Sequence, residues 1–269
     1  MDDLTRAAFG DDPGCWPLPA ATTPLGAWHR AVAAGGQGRY ASGFADLDAV
    51  GRSPGAPSVA SLALSTRASF LRQLGRHVDA RSWDGRALAL AGTDAEARAD
   101  ALIGLAADAL GIGRFRASGR LLQRAREVVG DASGRAKRRG KPPRGRSPVR
   151  LGWVSAELAM FTGDGEAALG HAERAVELAA STGSVRHAVK SDVVLAAALC
   201  SAGDADASRR VADTALEVTQ RLGLVPLSWA LACLLLDIGS AAHPPDRIAA
   251  IRDETADAVR RRGGVWAGR

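Results

Sequence analysis

One spacing of glycine and small residues recurs along most of this 269-residue chain. Five stretches begin at a glycine, an alanine stands seven residues before each glycine, and small residues stand five and twelve residues after it. We call this pattern the repeat frame. Self-similarity at a period of roughly 20 to 50 residues predicts a repeat architecture. The glycines are Gly38, Gly75, Gly113, Gly163 and Gly203, and the alanines are Ala31, Ala68, Ala106, Ala156 and Ala196.

Each unit of the repeat frame indicates a helix hairpin. A glycine ends a helix readily because it adopts the left-handed backbone conformation that other residues resist. Small side chains on both sides of the turn allow the two helices to cross at short range. A single hairpin leaves an apolar face uncovered, so successive hairpins are expected to stack. Aromatic residues make up only 4% of the chain, which favours closely packed helices over sheets.

The repeat frame resembles the tetratricopeptide repeat family over roughly residues 24–240. The glycine spacings of 37, 38, 50, 40 and, counted to Gly239, 36 residues exceed the family's usual period of about 34. They are similar to the longer repeats of sensor or interaction domains in bacterial regulators. Asp84 departs from the pattern, since the family has a large apolar residue there. The resemblance is clearest in Ala68, Gly75, His77, Ala80 and Ala87, and in Ala106, Gly113, Phe115, Ser118 and Ala125.

We therefore expect an all-α fold. The resemblance implies that this fold is a right-handed superhelical solenoid of about five to six hairpins. Residues 1–23 contain three prolines and are expected to be extended over the surface or partly disordered. Residues 24–130 form repeats one to three, and residues 150–240 form repeats four and five with the first helix of a sixth. Residues 244–262 form a charged capping helix. All of these belong to one continuous domain.

A basic insertion is predicted at residues 131–149, where the glycine spacing rises to 50. Residues 135–150 contain eight lysines or arginines and no carboxylate, whereas the whole chain has a net charge of +6. The other 253 residues therefore carry −2, so the globular part is not basic. Paired prolines, glycines and unrelieved charge predict a flexible loop. The basic residues of this insertion are Arg135, Lys137, Arg138, Arg139, Lys141, Arg144 and Arg146.

The resemblance implies that the first helices of the repeats line a concave groove that binds a partner. Arg72, Arg150 and Lys190 around Trp153 could hold an acidic peptide or a carboxylate terminus through charge-assisted hydrogen bonds. The alternative is that some of these side chains face solvent and the tryptophan fills the core. The groove residues implied by the family frame are Ser69, Arg72, Gln73, Asp100, Arg150, Trp153, Glu157 and Lys190.

Arg67 stands where the family generally has leucine. A buried guanidinium without a carboxylate partner costs several kcal/mol. We therefore expect a buried polar pair between Arg67 and Asp100 on the next first helix. A local ion pair is the alternative.

Motifs for catalysis, metals and membranes are missing from the sequence. The five histidines are dispersed, and no HExxH, GxxxxGK[ST] or GxSxG motif occurs. The three cysteines are widely spaced and form no metal-binding motif. The chain contains no run of about 18 apolar residues, which is the length that a membrane-spanning helix needs. The acidic N-terminus is unlike a signal peptide. We expect a cytoplasmic protein without enzymatic activity, cofactor, metal or membrane span.

Two functions remain open. The first is a protein-interaction adapter or regulatory scaffold that binds a protein or an acidic peptide in the groove. The second is a nucleic-acid-associated protein, linked to a polymerase, a ribosome or DNA, that is recruited through the basic insertion. The insertion has no aromatic residues for base stacking, so the first function is favoured.

Overall fold

The computed structural model of the chain describes residues 1–53, 55–138 and 145–267. These ranges contain helices and no strands, which confirms the all-α prediction. None of the helices in these ranges is both long and apolar enough to cross a membrane. The helices are α1 (Asp3–Phe9), α2 (Pro24–Gly36), α3 (Tyr40–Arg52), α4 (Pro57–Gln73), α5 (His77–Leu90), α6 (Ala95–Gly111), α7 (Phe115–Arg138), α8 (Ser147–Phe161), α9 (Gly165–Ala180), α10 (Val185–Ser201), α11 (Ala205–Arg221), α12 (Val225–Ile238) and α13 (Pro245–Arg261).

Helices α2 to α13 form six consecutive hairpins. Each even-numbered helix packs against the odd-numbered helix that follows it, from α2 with α3 to α12 with α13. The first helices α2, α4, α6, α8, α10 and α12 also pack against one another in that order. The result is a solenoid-like array. Helix α13 lies where the capping helix is predicted and completes the sixth hairpin.

The repeat frame explains how closely the helices pack. All six frame glycines, counting Gly239, have positive φ, from 71° at Gly38 to 91° at Gly203. The five frame alanines that precede the first five of these glycines are completely buried. Five residues after Gly203, the Ser208 hydroxyl donates to the Ala196 carbonyl at 2.7 Å. The small residues before the turns are thus buried, and Ser208 and Ala196 show how closely two paired helices approach each other.

The N-terminal segment differs from the prediction that residues 1–23 are extended or disordered. Helix α1 forms there, with the Asp2 side chain accepting a hydrogen bond from the Thr5 amide at 2.8 Å. Its apolar side, including Leu4, packs with Leu18 against the small residues of α2. After α1, the Gly10 carbonyl accepts a hydrogen bond from the Val185 amide at 3.0 Å. The segment thus reaches from the first hairpin to the fifth.

The C-terminal residues join the last hairpin to the first two. The Ala41 amide donates to the Arg262 carbonyl at 3.0 Å, and the Ala267 amide donates to the Leu74 carbonyl at 2.8 Å. Val259 of α13 packs in the same apolar cluster as the first two hairpins. Trp266 lies against Trp229 of α12, with ring centroids 4.6 Å apart. The array is therefore closed on itself.

The predicted bounds of the basic insertion are wrong at both ends. Helix α7 continues to Arg138, so Arg135, Lys137 and Arg138 lie in a helix. Alanine, arginine and lysine are good helix formers, which lets α7 extend past the end of its repeat. Helix α8 already begins at Ser147. The remaining predicted loop residues Arg139, Lys141 and Arg144 lie outside the described residues.

We expect Trp266→Ala to lower the free energy of unfolding by about 1–3 kcal/mol, since it removes a large, partly buried ring from the closure. Val265→Ala is the matched control, because Val265 is 66% exposed and its loss should cost less than about 0.5 kcal/mol. Urea denaturation followed by circular dichroism measures both. Equal stability of the two variants would contradict a structural role for this contact.

Candidate functional site

The closed array surrounds a central cavity of about 440 Å³, which is lined by side chains of the six first helices and by Trp266. This volume lies within the range of about 300–1,000 Å³ that is typical of ligand sites. The structure brings all of the predicted groove residues to the cavity wall. Their role in partner binding stays a prediction. They are Ser69, Arg72, Gln73, Asp100, Arg150, Trp153, Glu157 and Lys190.

The cavity wall has an excess of positive charge. Among the described residues, five basic side chains and two carboxylates line it, the latter from Asp100 and Glu157. Burial lowers the pKa of Arg150 and of Arg186 to about 10, so both guanidiniums remain charged at neutral pH. The pKa of His187 is well below its usual value, again because of burial and nearby arginines. The basic residues are Arg72, Arg146, Arg150, Arg186 and Lys190.

Arg146 belongs to this cavity and not to a flexible basic loop, which corrects the sequence prediction. Its Nη2 donates to Asp100 Oδ2 at 2.7 Å, and its Nε lies 3.3 Å from Glu96 Oε1. The guanidinium also lies over the Phe9 and Trp28 rings, 5.4 and 5.1 Å from their centroids. These partners on α1, α2 and α6 hold Arg146 at the start of α8.

The predicted pair of Arg67 and Asp100 does not form. Arg67 makes an ion pair with Asp48, and its guanidinium lies between the Phe44 and Trp83 rings, 5.1 and 4.9 Å from their centroids. Asp100 instead contacts Arg146 and Arg150. The Arg67 side chain extends from α4 to a position between α3 and α5, whereas Asp100 faces the cavity from α6. The alternative of a local ion pair, here with Asp48, therefore describes Arg67.

Arg72 is held by two carboxylates. Its guanidinium donates to Asp84 and, at 2.9 Å, to Asp108 Oδ1, and both carboxylates are completely buried. Gly104 makes room for this cluster, because a Cβ there would lie 2.3 Å from Asp84 Oδ2. Asp84 occupies a position where the family has a large apolar residue, and its pairing with Arg72 explains this departure. The sequence showed only the departure of Asp84 from the frame.

The Arg72 cluster places one largely buried guanidinium beside two completely buried carboxylates. Burial, supported by the negative charge of Asp108, raises the pKa of Asp84 to about 7 even though Arg72 opposes the shift. Burial also raises the pKa of Asp108. Asp84 therefore takes up a proton near neutral pH.

Arg186 is the basic residue of the wall that lacks a carboxylate partner within the described residues. Its Nη2 donates to the Ala8 carbonyl of α1 at 3.3 Å. Its Nε is buried and has no hydrogen-bond partner among the residues that the structure describes. A buried guanidinium without a carboxylate partner is costly. Among the described groups of the cavity wall, Arg186 is therefore the one that a bound anion would stabilise most.

Trp153 borders the cavity but is mostly a core residue. It is 8% exposed, and its Nε1 donates to the Ser191 hydroxyl at 2.8 Å. Its ring stacks on His187 with a centroid distance of 5.4 Å. Most of the Trp153 side chain therefore fills the core, as the alternative interpretation of the sequence states, and only its edge faces the cavity.

Sequence reasoning missed several residues of the cavity wall. Arg186 and His187 stand near the start of α10, where polar residues are equally typical of a solvated surface. Trp229 stands ten residues before Gly239, as Trp153 stands ten before Gly163, so the repeat frame held a signal for it. Trp266 follows the last repeat and has no such signal.

The functional assignment depends on the chemistry of this cavity. No family model matches the chain, and no curated protein matches it significantly. Within the described part of the chain, no group of three or more histidines, cysteines or carboxylates could hold a metal ion. What the wall offers is a set of cations with aromatic neighbours, which suits the binding of an anion.

The raised pKa of Asp84 predicts a pH-dependent stability. The folded protein keeps the Asp84 proton up to about pH 7, whereas the unfolded chain releases it near the ordinary aspartate pKa of 3.8. The free energy of unfolding should therefore fall between these pH values as pH rises, on the order of 1–3 kcal/mol for this group. Asp84→Asn cannot ionise and should flatten the decline.

Urea denaturation from pH 4 to pH 8 measures this effect. Asp79→Asn is the control, because Asp79 is exposed on the same helix and pairs with Arg76. Parallel pH profiles for the wild type and Asp84→Asn would contradict the protonation of Asp84.

Proposed function

We propose that this protein is a non-enzymatic interaction module that holds a short acidic segment of a partner protein in the central cavity. The observation that carries the proposal is Arg186, which is partly buried, has a fully buried Nε and lacks a carboxylate partner among the described residues. The described residues of the wall include five basic and two acidic side chains. An acidic side chain of the partner would supply the charge-assisted hydrogen bonds that Arg186 lacks.

The other charges of the wall support a selective site. Asp100 contacts both Arg146 and Arg150. Asp84 and Asp108 both contact Arg72, so that guanidinium already has partners. Lys190 lies 3.9 Å from Glu157 and is only loosely paired. Arg186 and Lys190 on α10 are therefore the cations that are free to bind the partner's carboxylates. This arrangement favours one or two negative charges in the ligand over a polyanion.

The architecture also supports an interaction module. The six stacked hairpins, the positive-φ frame glycines and the buried small residues fit a tetratricopeptide-like array of the longer-repeat type. Arrays of stacked repeats use their concave surface for binding. Here the first helices supply that surface, and they face the cavity. We propose an adapter or regulatory role on this basis.

We expect Arg186→Met to weaken the binding of an acidic peptide by about tenfold or more, because it removes a hydrogen-bond donor with full charge. An array of acidic, neutral and basic hexapeptides identifies the probe, and fluorescence anisotropy of the strongest acidic peptide gives the dissociation constant. Arg174→Met is the control, because Arg174 is exposed on α9 and pairs only locally with Glu177.

Binding without any preference for acidic peptides would contradict the proposal, and so would wild-type affinity in Arg186→Met. A duplex DNA of random sequence is tested in parallel. Binding of that DNA, with a steep salt dependence and loss on deletion of residues 135–144, would favour recruitment through the basic insertion.

A further inference from the structure

Two exposed aromatic rings lie next to the central cavity. Phe161 at the end of α8 is 65% exposed and Phe115 at the start of α7 is 36% exposed. Their rings are stacked, with centroids 6.1 Å apart. Single exposed apolar residues are common on proteins, but adjacent exposed aromatic rings mark a candidate contact surface.

The repeat frame does not require an aromatic residue at Phe115. The same position, two residues after the frame glycine, holds Gly165 and Ala205 in the fourth and fifth hairpins. Tyr40 at this position is completely buried and packs edge-on against Phe70, with centroids 5.4 Å apart. Phe115 is exposed instead. Packing of the array therefore leaves the Phe115 ring far more exposed than the aromatic ring at the same position of the first hairpin.

The exposed pair is continuous with the central cavity. Phe161 lines the cavity together with Gly111 and His77, which lie at the same edge. Glu157 lies one helical turn before Phe161, so the two side chains share a face of α8. The Lys190 ammonium, 3.9 Å from Glu157, connects this edge to the basic wall. A partner segment that extends from the cavity past Phe161 would also contact Phe115, because the two rings are stacked.

We propose that Phe115 and Phe161 form a second subsite for the same partner, which holds an aliphatic or aromatic side chain. The inference rests on the proposed function. The partner segment then has an apolar residue within a few positions of the acidic residues that enter the cavity. Positive charge in the cavity selects the acidic residues, and the stacked rings select the apolar one.

The test uses acidic hexapeptides in which one phenylalanine is moved through every position, each paired with a peptide that has serine there. At the most favourable position in the peptide, we expect phenylalanine to bind the wild-type protein about tenfold more tightly than serine does. In Phe115→Ala/Phe161→Ala, the ratio of the phenylalanine-peptide affinity to the serine-peptide affinity should fall to about one, whatever the affinity for the serine peptide itself. Val78→Ala is the control, because Val78 beside His77 is 72% exposed.

The outcomes separate the two proposals. Acidic peptides that bind without a gain from phenylalanine would overturn the second subsite and leave the proposed function standing. A gain that persists in the double alanine variant would also overturn it. Failure of the wild type to select acidic peptides would overturn both. Circular dichroism melts of each variant verify that these exposed substitutions leave the fold intact.

Discussion

The backbone hydrogen bonds between the C-terminal residues 262–267 and the first two hairpins determine what the array can do. A stack of helix hairpins ordinarily has two separate ends and an open concave surface. Here Arg262 and Ala267 tie the last hairpin to Ala41 and Leu74. The N-terminal segment adds a second connection, from the first hairpin to Val185 at the start of α10. The concave surface therefore becomes the wall of a cavity.

Enclosure changes the energetics of the charged residues in the wall. Ion pairs gain strength away from bulk water, but desolvation makes an unpaired charge expensive. Three of the arginines have carboxylate partners that offset this desolvation. Arg146 and Arg150 contact Asp100, and Arg72 contacts Asp84 and Asp108. Among the described residues, Arg186 contacts the Ala8 carbonyl and the Phe9 ring but no carboxylate. The uneven distribution of carboxylates makes the α10 side of the cavity the anion-binding side.

The sequence predicted the features that single residues encode locally. A frame glycine specifies a helix end because of its backbone freedom, and a frame alanine specifies a close crossing because of its size. Both could be assigned along the chain without a structure. The groove residues were implied by the family resemblance, which assigns groove positions to the first helices, and all of them lie at the cavity wall.

Features that depend on distant partners were not predictable in this way. Arg146 lies within a basic stretch, but its partner Asp100 is 46 residues away in the sequence, so composition alone placed it in a loop. The pairing of Arg67 failed for the opposite reason, because a nearer carboxylate, Asp48, was available on α3. Helix α1 and the closure by Trp266 lie outside the repeat frame and carry no periodic signal.

Hydrogen exchange with and without a bound acidic hexapeptide tests the central claim, that the cavity is the binding site. The account predicts slower exchange in α8, α10 and residues 263–267, because a ligand in the cavity stabilises the wall and its closure. Exchange in residues 131–138 at the end of α7 should stay unchanged. Slower exchange confined to residues 131–138 would contradict the account and place binding at the basic insertion.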